Sequence, residues 1–96
     1  MSGYVLKSPI SELQYALDWR QGYLDNGEKV VDDLGWRVLP VESIHDLNVV
    51  SQHVDQAASH VTVAGGVPGR TYMVCARVLT SAGRELERAV VMQIAA

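Results

Sequence analysis

The sequence predicts an all-β protein, an antiparallel β-sandwich of about seven strands, and three observations carry that prediction. The tract from Gly69 to Thr80 alternates cleanly, with Tyr72, Val74, Ala76 and Val78 on one side and Met73, Cys75, Arg77 and Leu79 on the other. An Ala82-Gly83 turn and a second apolar run, Arg88 to Ile94, follow it, so the pair reads as a closing hairpin. Turn residues also punctuate the rest of the chain, at Asp25 to Glu28, at Pro40, at Gly65-Gly66 and at Pro68-Gly69.

Residues 1–12 lack a clean alternation and contain Pro9, so they read as an N-terminal arm ahead of a sandwich domain over 13–96. Leu13, Tyr15, Leu17 and Trp19 recur at period two and predict the first strand. Tyr15, Asp18 and Trp19 also fit a helical spacing, but the aromatic residues favour a strand. After the Asp25 to Glu28 turn, Lys29 to Val31 reads as a second strand. Asp32 and Asp33 interrupt the apolar run before a third, Leu34 to Leu39, which Pro40 ends.

Val41 to Asp46 reads as loop with at most one helical turn, and Leu47 to Ser51 as an edge strand. Residues 52–58 are polar and read as loop or a brief helix. Ser59 to Ala64 is a strand with Val61 and Val63 inward. Tyr72 opens the long strand just after a turn. There a sandwich often places a tyrosine whose hydroxyl bonds back to the loop backbone. In the last strand Leu86, Val90, Met92 and Ile94 share one parity, which Arg88 breaks. Trp19, Trp36 and Tyr72 are expected in the core.

With 96 residues the chain fits one domain, and a hydrophobic fraction of 48% argues against wholesale disorder. The net charge is −3 and the eight lysines and arginines are scattered, which argues against a nucleic-acid partner. Cys75 is the only cysteine, so no internal disulfide forms, and a cytosolic assembly origin or stabilisation by partners is favoured. The apolar runs are too short to span a bilayer, and the first seven residues lack the order of a signal peptide.

No catalytic constellation emerges. His45, His53 and His60 match no compact zinc spacing. Asp25 to Glu28 resembles a calcium loop in composition only. Asp32 and Asp33 point to opposite faces of a strand, and Ser43, His45 and Asp46 are too close in sequence to converge as a triad. Arg77 is the one same-face group able to lower the Cys75 pKa. Gly65 to Gly69 lacks the Lys-Ser/Thr of a phosphate loop. The expectation is therefore no catalytic, cofactor-binding or metal site, no small-molecule substrate, and function through a protein surface.

A set of short pieces, in order, carries a resemblance: Asp18-Trp19, Leu24, Gly27-Glu28, Trp36 to Val38, Val63 to Gly66, Pro68 to Tyr72, and Thr80 to Arg84 with Arg88. From about Tyr15 to Ile94 the chain resembles small virion proteins of tailed bacteriophages with an immunoglobulin-like fold, the fibre–tail adaptor or minor head–tail proteins. It departs from them in residues 41–58 and in the arm. The resemblance implies a non-enzymatic structural protein, assembled in the host cytoplasm, that joins or decorates repeated head, neck or tail subunits. Other virion proteins would be its partners, with self-association open. A host- or glycan-binding module on the virion surface is the alternative. The candidate interface is Tyr4, Val5, Leu6, Lys7 and Ile10 of the arm with Arg77, Arg84 and Arg88 of the closing hairpin.

Overall fold

Seven strands in two sheets account for the regular structure of the computed structural model, which describes residues 3–96. They are β1 (Tyr4–Lys7), β2 (Leu13–Asp18), β3 (Val30–Leu39), β4 (Asn48–Asp55), β5 (Ala58–Ala64), β6 (Thr71–Thr80) and β7 (Glu85–Ile94). One sheet has the order β1-β7-β6-β3 and the other β2-β5-β4. The all-β sandwich read from the sequence is the fold found.

The seven strands differ from the expected seven in two places. Residues 4–7 of the expected arm are β1, which lies parallel to β7 with Tyr4 opposite Val91 and Lys7 opposite Ile94. Met1 and Ser2 of that arm lie outside the described residues. Among the described residues β1 and β7 are thus the one parallel pair, where the sequence suggested antiparallel pairing throughout. The second and third expected strands are one continuous β3. Asp32 and Asp33 fall at two register shifts against β6, so the polar pair sits at bulges instead of ending the strand. Asp33 Oδ1 accepts the Gly35 amide at 2.9 Å and holds the second bulge.

Residues 52–58 are the other correction. They continue β4 to Asp55 and turn through Gln56, at φ 56°, into β5. Their polarity has a simple origin, because β4 is a sheet edge whose outer face meets water. Gln52 adds a specific role. Its Oε1 accepts the Trp36 amide of β3 at 3.1 Å, which covers a backbone donor between the two sheets' neighbouring edges.

The core lies between the sheets in two clusters. Val38, Leu47, Val61, Val63, Tyr72, Val74, Val90, Met92 and Ile94 form the larger. Leu17, Trp19, Ala76 and Val78 form the smaller, toward the other end of the sandwich. Trp19 is fully buried, and its indole N–H donates to Ser59 Oγ at 2.8 Å, so its polar atom is satisfied inside. Trp36 packs against both clusters, but its indole nitrogen has no partner among the described residues. The molecule measures 43 × 20 × 19 Å, so loops at its two ends are well separated.

Candidate docking surface

Three loops meet at one end of the sandwich: residues 8–12 after β1, residues 40–47 after β3, and residues 65–70 after β5. Short polar links under these loops fix them. Tyr72, 1% exposed, accepts the Val67 amide at its hydroxyl (3.0 Å) and donates the hydroxyl proton to Asp46 Oδ1 (2.5 Å). The backbone-directed tyrosine expected from the sequence is therefore present. Asp46, also buried, takes the amides of Glu42 and Ser43 on Oδ2 at 2.8 and 2.9 Å, and Arg70 Nη1 on Oδ1 at 3.0 Å. These donors, the Tyr72 hydroxyl first, hold the Asp46 pKa at about 2.

Lys7 completes the support. Its ammonium reaches under the loops to Ser8 O at 2.8 Å and Gly65 O at 2.7 Å, with the side chain almost wholly buried. Burial lowers its pKa, while Glu12 opposes that shift. Gly66 fits against Ile94, and its amide donates to His45 O at 3.1 Å. Each loop is thus bonded to an element outside itself. A loop that is already ordered loses little entropy when a partner binds.

Apolar side chains stand on this support. Ile10 is 95% exposed and Ile44 is 91% exposed, with Val41 also in water. Pro9, Ile44, Val67 and Pro68 line a shallow recess beside them. Isoleucine is among the residue types most often buried, so two almost fully exposed on anchored loops make this end a candidate contact surface.

The candidate interface read from the sequence is divided by the fold. Ile10 lies at the loop end. Tyr4 and Leu6 are exposed on the outer face of the four-stranded sheet, and Val5 points inward against the core. Lys7 is internal. Arg77 is exposed and ion-paired to Glu85 at 2.6 Å. Arg84 and Arg88 bind the loop between β2 and β3 at the opposite end. Arg84 holds Glu28 at 2.5 Å and Tyr23 O at 2.9 Å. Arg88 donates to Asp18 O at 2.8 Å and lies 4.5 Å from the Tyr23 ring centroid.

The sequence reading missed Ile44 and Asp46 as members of this end. Ile44 carried a signal, as a lone large apolar residue between Ser43 and His45 in a turn segment. Asp46 carried none, because its donors come from Glu42, Ser43, Arg70 and Tyr72, and the last two are remote in sequence.

The remaining candidates for chemistry fall elsewhere. Cys75 is buried, and burial followed by Glu87 raises its pKa, contrary to the lowering expected from Arg77. His53 and His60 are cross-strand partners with rings stacked 4.5 Å apart on the outer face of the smaller sheet. Among the described residues no group of three or more His, Cys, Asp or Glu is placed to hold a metal ion.

A family model described as podophage GP4 fiber-tail adaptor protein gp77 matches residues 7–93. No curated protein matches the chain.

Proposed function

The chain belongs to the podophage GP4 fiber-tail adaptor family, and from that membership we propose that it is a non-enzymatic virion protein that docks by its loop end onto a neighbouring tail or fibre subunit. The carrying observation is the pair Ile10 and Ile44, exposed at 95 and 91% on loops fixed from below by Lys7, Asp46 and Tyr72. Apolar anchors on a rigid support suit a partner that offers a matching hydrophobic recess. Copies arranged around a tail make individually modest contacts durable through effective concentration. Assembly in the host cytoplasm follows from this role.

The strand order supports an immunoglobulin-like reading of the sandwich. β2-β5-β4 and β3-β6-β7 correspond to the two sheets of a constant-type domain, with the first strand moved beside the last. In this scheme the loop end sits apart from both sheet faces, free to point along the particle axis while the faces meet neighbours.

Ile10→Ser with Ile44→Ser, supplied to a phage lacking the wild-type gene, tests the proposal. Both positions are exposed, so the variant folds, as its circular dichroism will show. The expected result is particles that lack this protein or lack fibres. Particles with the normal content of both overturn loop-end docking.

A further inference from the structure

The outer face of the four-stranded sheet changes character along its strands. Near the loop end, Tyr4, Val91, Met73 and Leu39 form one row across β1, β7, β6 and β3. Tyr4, Met73 and Leu39 are 61, 47 and 43% exposed, and the Tyr4 hydroxyl is tied to Gln93 Oε1 on the same face. Ala89, Cys75 and, exposed on β3, Arg37 make the next row. Beyond them Glu87 on β7 stands beside Arg77 on β6, both exposed. Glu87 has no ion pair among the described residues, whereas Arg77 leans to Glu85.

One symmetry operation makes this face complementary to itself. Consider a two-fold axis that runs parallel to the strands, above the outer face of the sheet and over the line midway between β7 and β6. It keeps every row at its level and exchanges left with right. β7 then faces β6 of a second copy, and β1 faces its β3. Val91 meets Met73 of the copy, Tyr4 meets Leu39, and Glu87 meets Arg77, each contact occurring twice as an isologous interface requires. An axis perpendicular to the strands keeps each strand over itself. It sets Arg77 against Arg77, or the apolar row against the charged one, and either arrangement is unfavourable.

We propose that this face is the interface of a two-fold homodimer, packed sheet on sheet. The charge pattern selects the occupant, because in the Glu87–Arg77 row each side carries the complement of the other, while Arg37 at the β3 edge faces the space beyond the start of β1 in the copy. Four strands spaced about 4.8 Å apart give a face of roughly 600 Å² per copy. That sits at the lower end for specific association. The dimer is accordingly concentration-dependent, with Kd about 1–100 µM. The proposal is independent of the loop end, which this packing leaves uncovered.

Sedimentation equilibrium on the full chain tests it with two charge reversals, measured alone and mixed. Arg77→Glu makes the row acidic on both sides, and Glu87→Arg makes it basic on both sides. Each variant alone should dissociate with a Kd at least about tenfold higher than wild type. An equal mixture should regain association, because every acidic position then faces a basic one. Met73→Glu, which places a charge in the apolar row, should also yield monomers, with circular dichroism unchanged. A wild-type chain that stays monomeric at about 100 µM overturns the dimer. So does a mixture that associates no more tightly than its components, since intrachain pairing cannot produce recovery on mixing.

Discussion

The Tyr72 hydroxyl donates to Asp46 across 26 residues of sequence while it accepts the amide of Val67, so one side chain ties the β3–β4 loop to the β5–β6 loop. Tyr72 grows from the buried face of β6, and its ring is locked among Leu47, Val63, Val74 and Met92. The bond therefore transmits the rigidity of the core to the loop end. A docking surface built this way depends on residues that never touch a partner.

Tyr72→Phe isolates that tie. It keeps the ring and removes the oxygen, leaving the Val67 amide and one lone-pair direction of Asp46 without a partner. Leaving a buried donor unmade costs about 1–3 kcal/mol. The expected outcome is a lower urea midpoint with an unchanged slope, together with faster amide exchange at Val67. Exchange at Val67 equal to wild type would show that the hydroxyl does not hold the loop.

Acid should release both ends of the sandwich. The Tyr72 hydroxyl, followed by the Glu42 amide, lowers Asp46 from 3.8 to about 2. Arg84, followed by the Asp25 amide and Thr80, lowers Glu28 from 4.5 to about 2. A carboxylate whose folded pKa is depressed contributes stability that is complete above its unfolded pKa and is lost as pH falls through the folded one. Stability should therefore decline between about pH 4.5 and 2 as these two groups protonate. Unfolding midpoints followed against pH should show a shallower decline for Asp46→Asn and for Glu28→Gln. A double variant with the full wild-type slope would remove both carboxylates from the explanation.

The fold was legible in the sequence wherever one strand face is fully buried. Tyr72, Val74, Ala76 and Val78 are each no more than 1% exposed, and a period of two is unmistakable there. Legibility failed where one residue's role depends on a distant one. β1 has only four residues, and Tyr4 and Leu6 are exposed, so its membership comes from β7 and from Lys7 reaching Gly65. The interruption at Asp32 and Asp33 looked like a turn because two bulges absorb those residues against β6. At the candidate surface, Ile10 was visible as an apolar residue in a weakly patterned arm. Its neighbour Ile44 becomes significant only once the chain has folded the two loops to the same end. Arginine positions were visible too, but not their targets. Arg84 and Arg88 bind backbone carbonyls and Glu28 inside the chain, leaving Arg77 and Arg37 as exposed arginines on the open sheet face.

Arg84 holds the β2–β3 loop with several donors at once, reaching both Glu28 oxygens and the Tyr23 carbonyl. A lysine carries the charge but cannot supply that planar fork. Arg84→Lys should leave the sandwich folded and loosen residues 19–29. Limited trypsin digestion is the measurement, with faster cleavage after Arg20 and Lys29 than in wild type. Equal cleavage rates would mean that charge alone, without the fork, holds the loop.

Gly66 supplies the sharpest steric test of the loop end. It sits at φ +106°, and a Cβ there would lie 2.6 Å from Ile94 Cδ1 and 2.7 Å from Cγ1. Gly83, at φ +77°, has open space around it, so its substitution reports the backbone cost alone. Gly83→Ala should cost about 1–2 kcal/mol for a left-handed conformation. Gly66→Ala should cost a further 1–3 kcal/mol or so, because Ile94 is fully buried in the core beside Lys7 and cannot retreat freely. Adding Ile94→Val removes the δ-methyl and should return part of that difference, a coupling that denaturant midpoints of the four chains will reveal. Equal midpoints for Gly66→Ala and Gly83→Ala would mean that Ile94 has room to move, and the loop end would then lack the tight seat that holds its isoleucines in place.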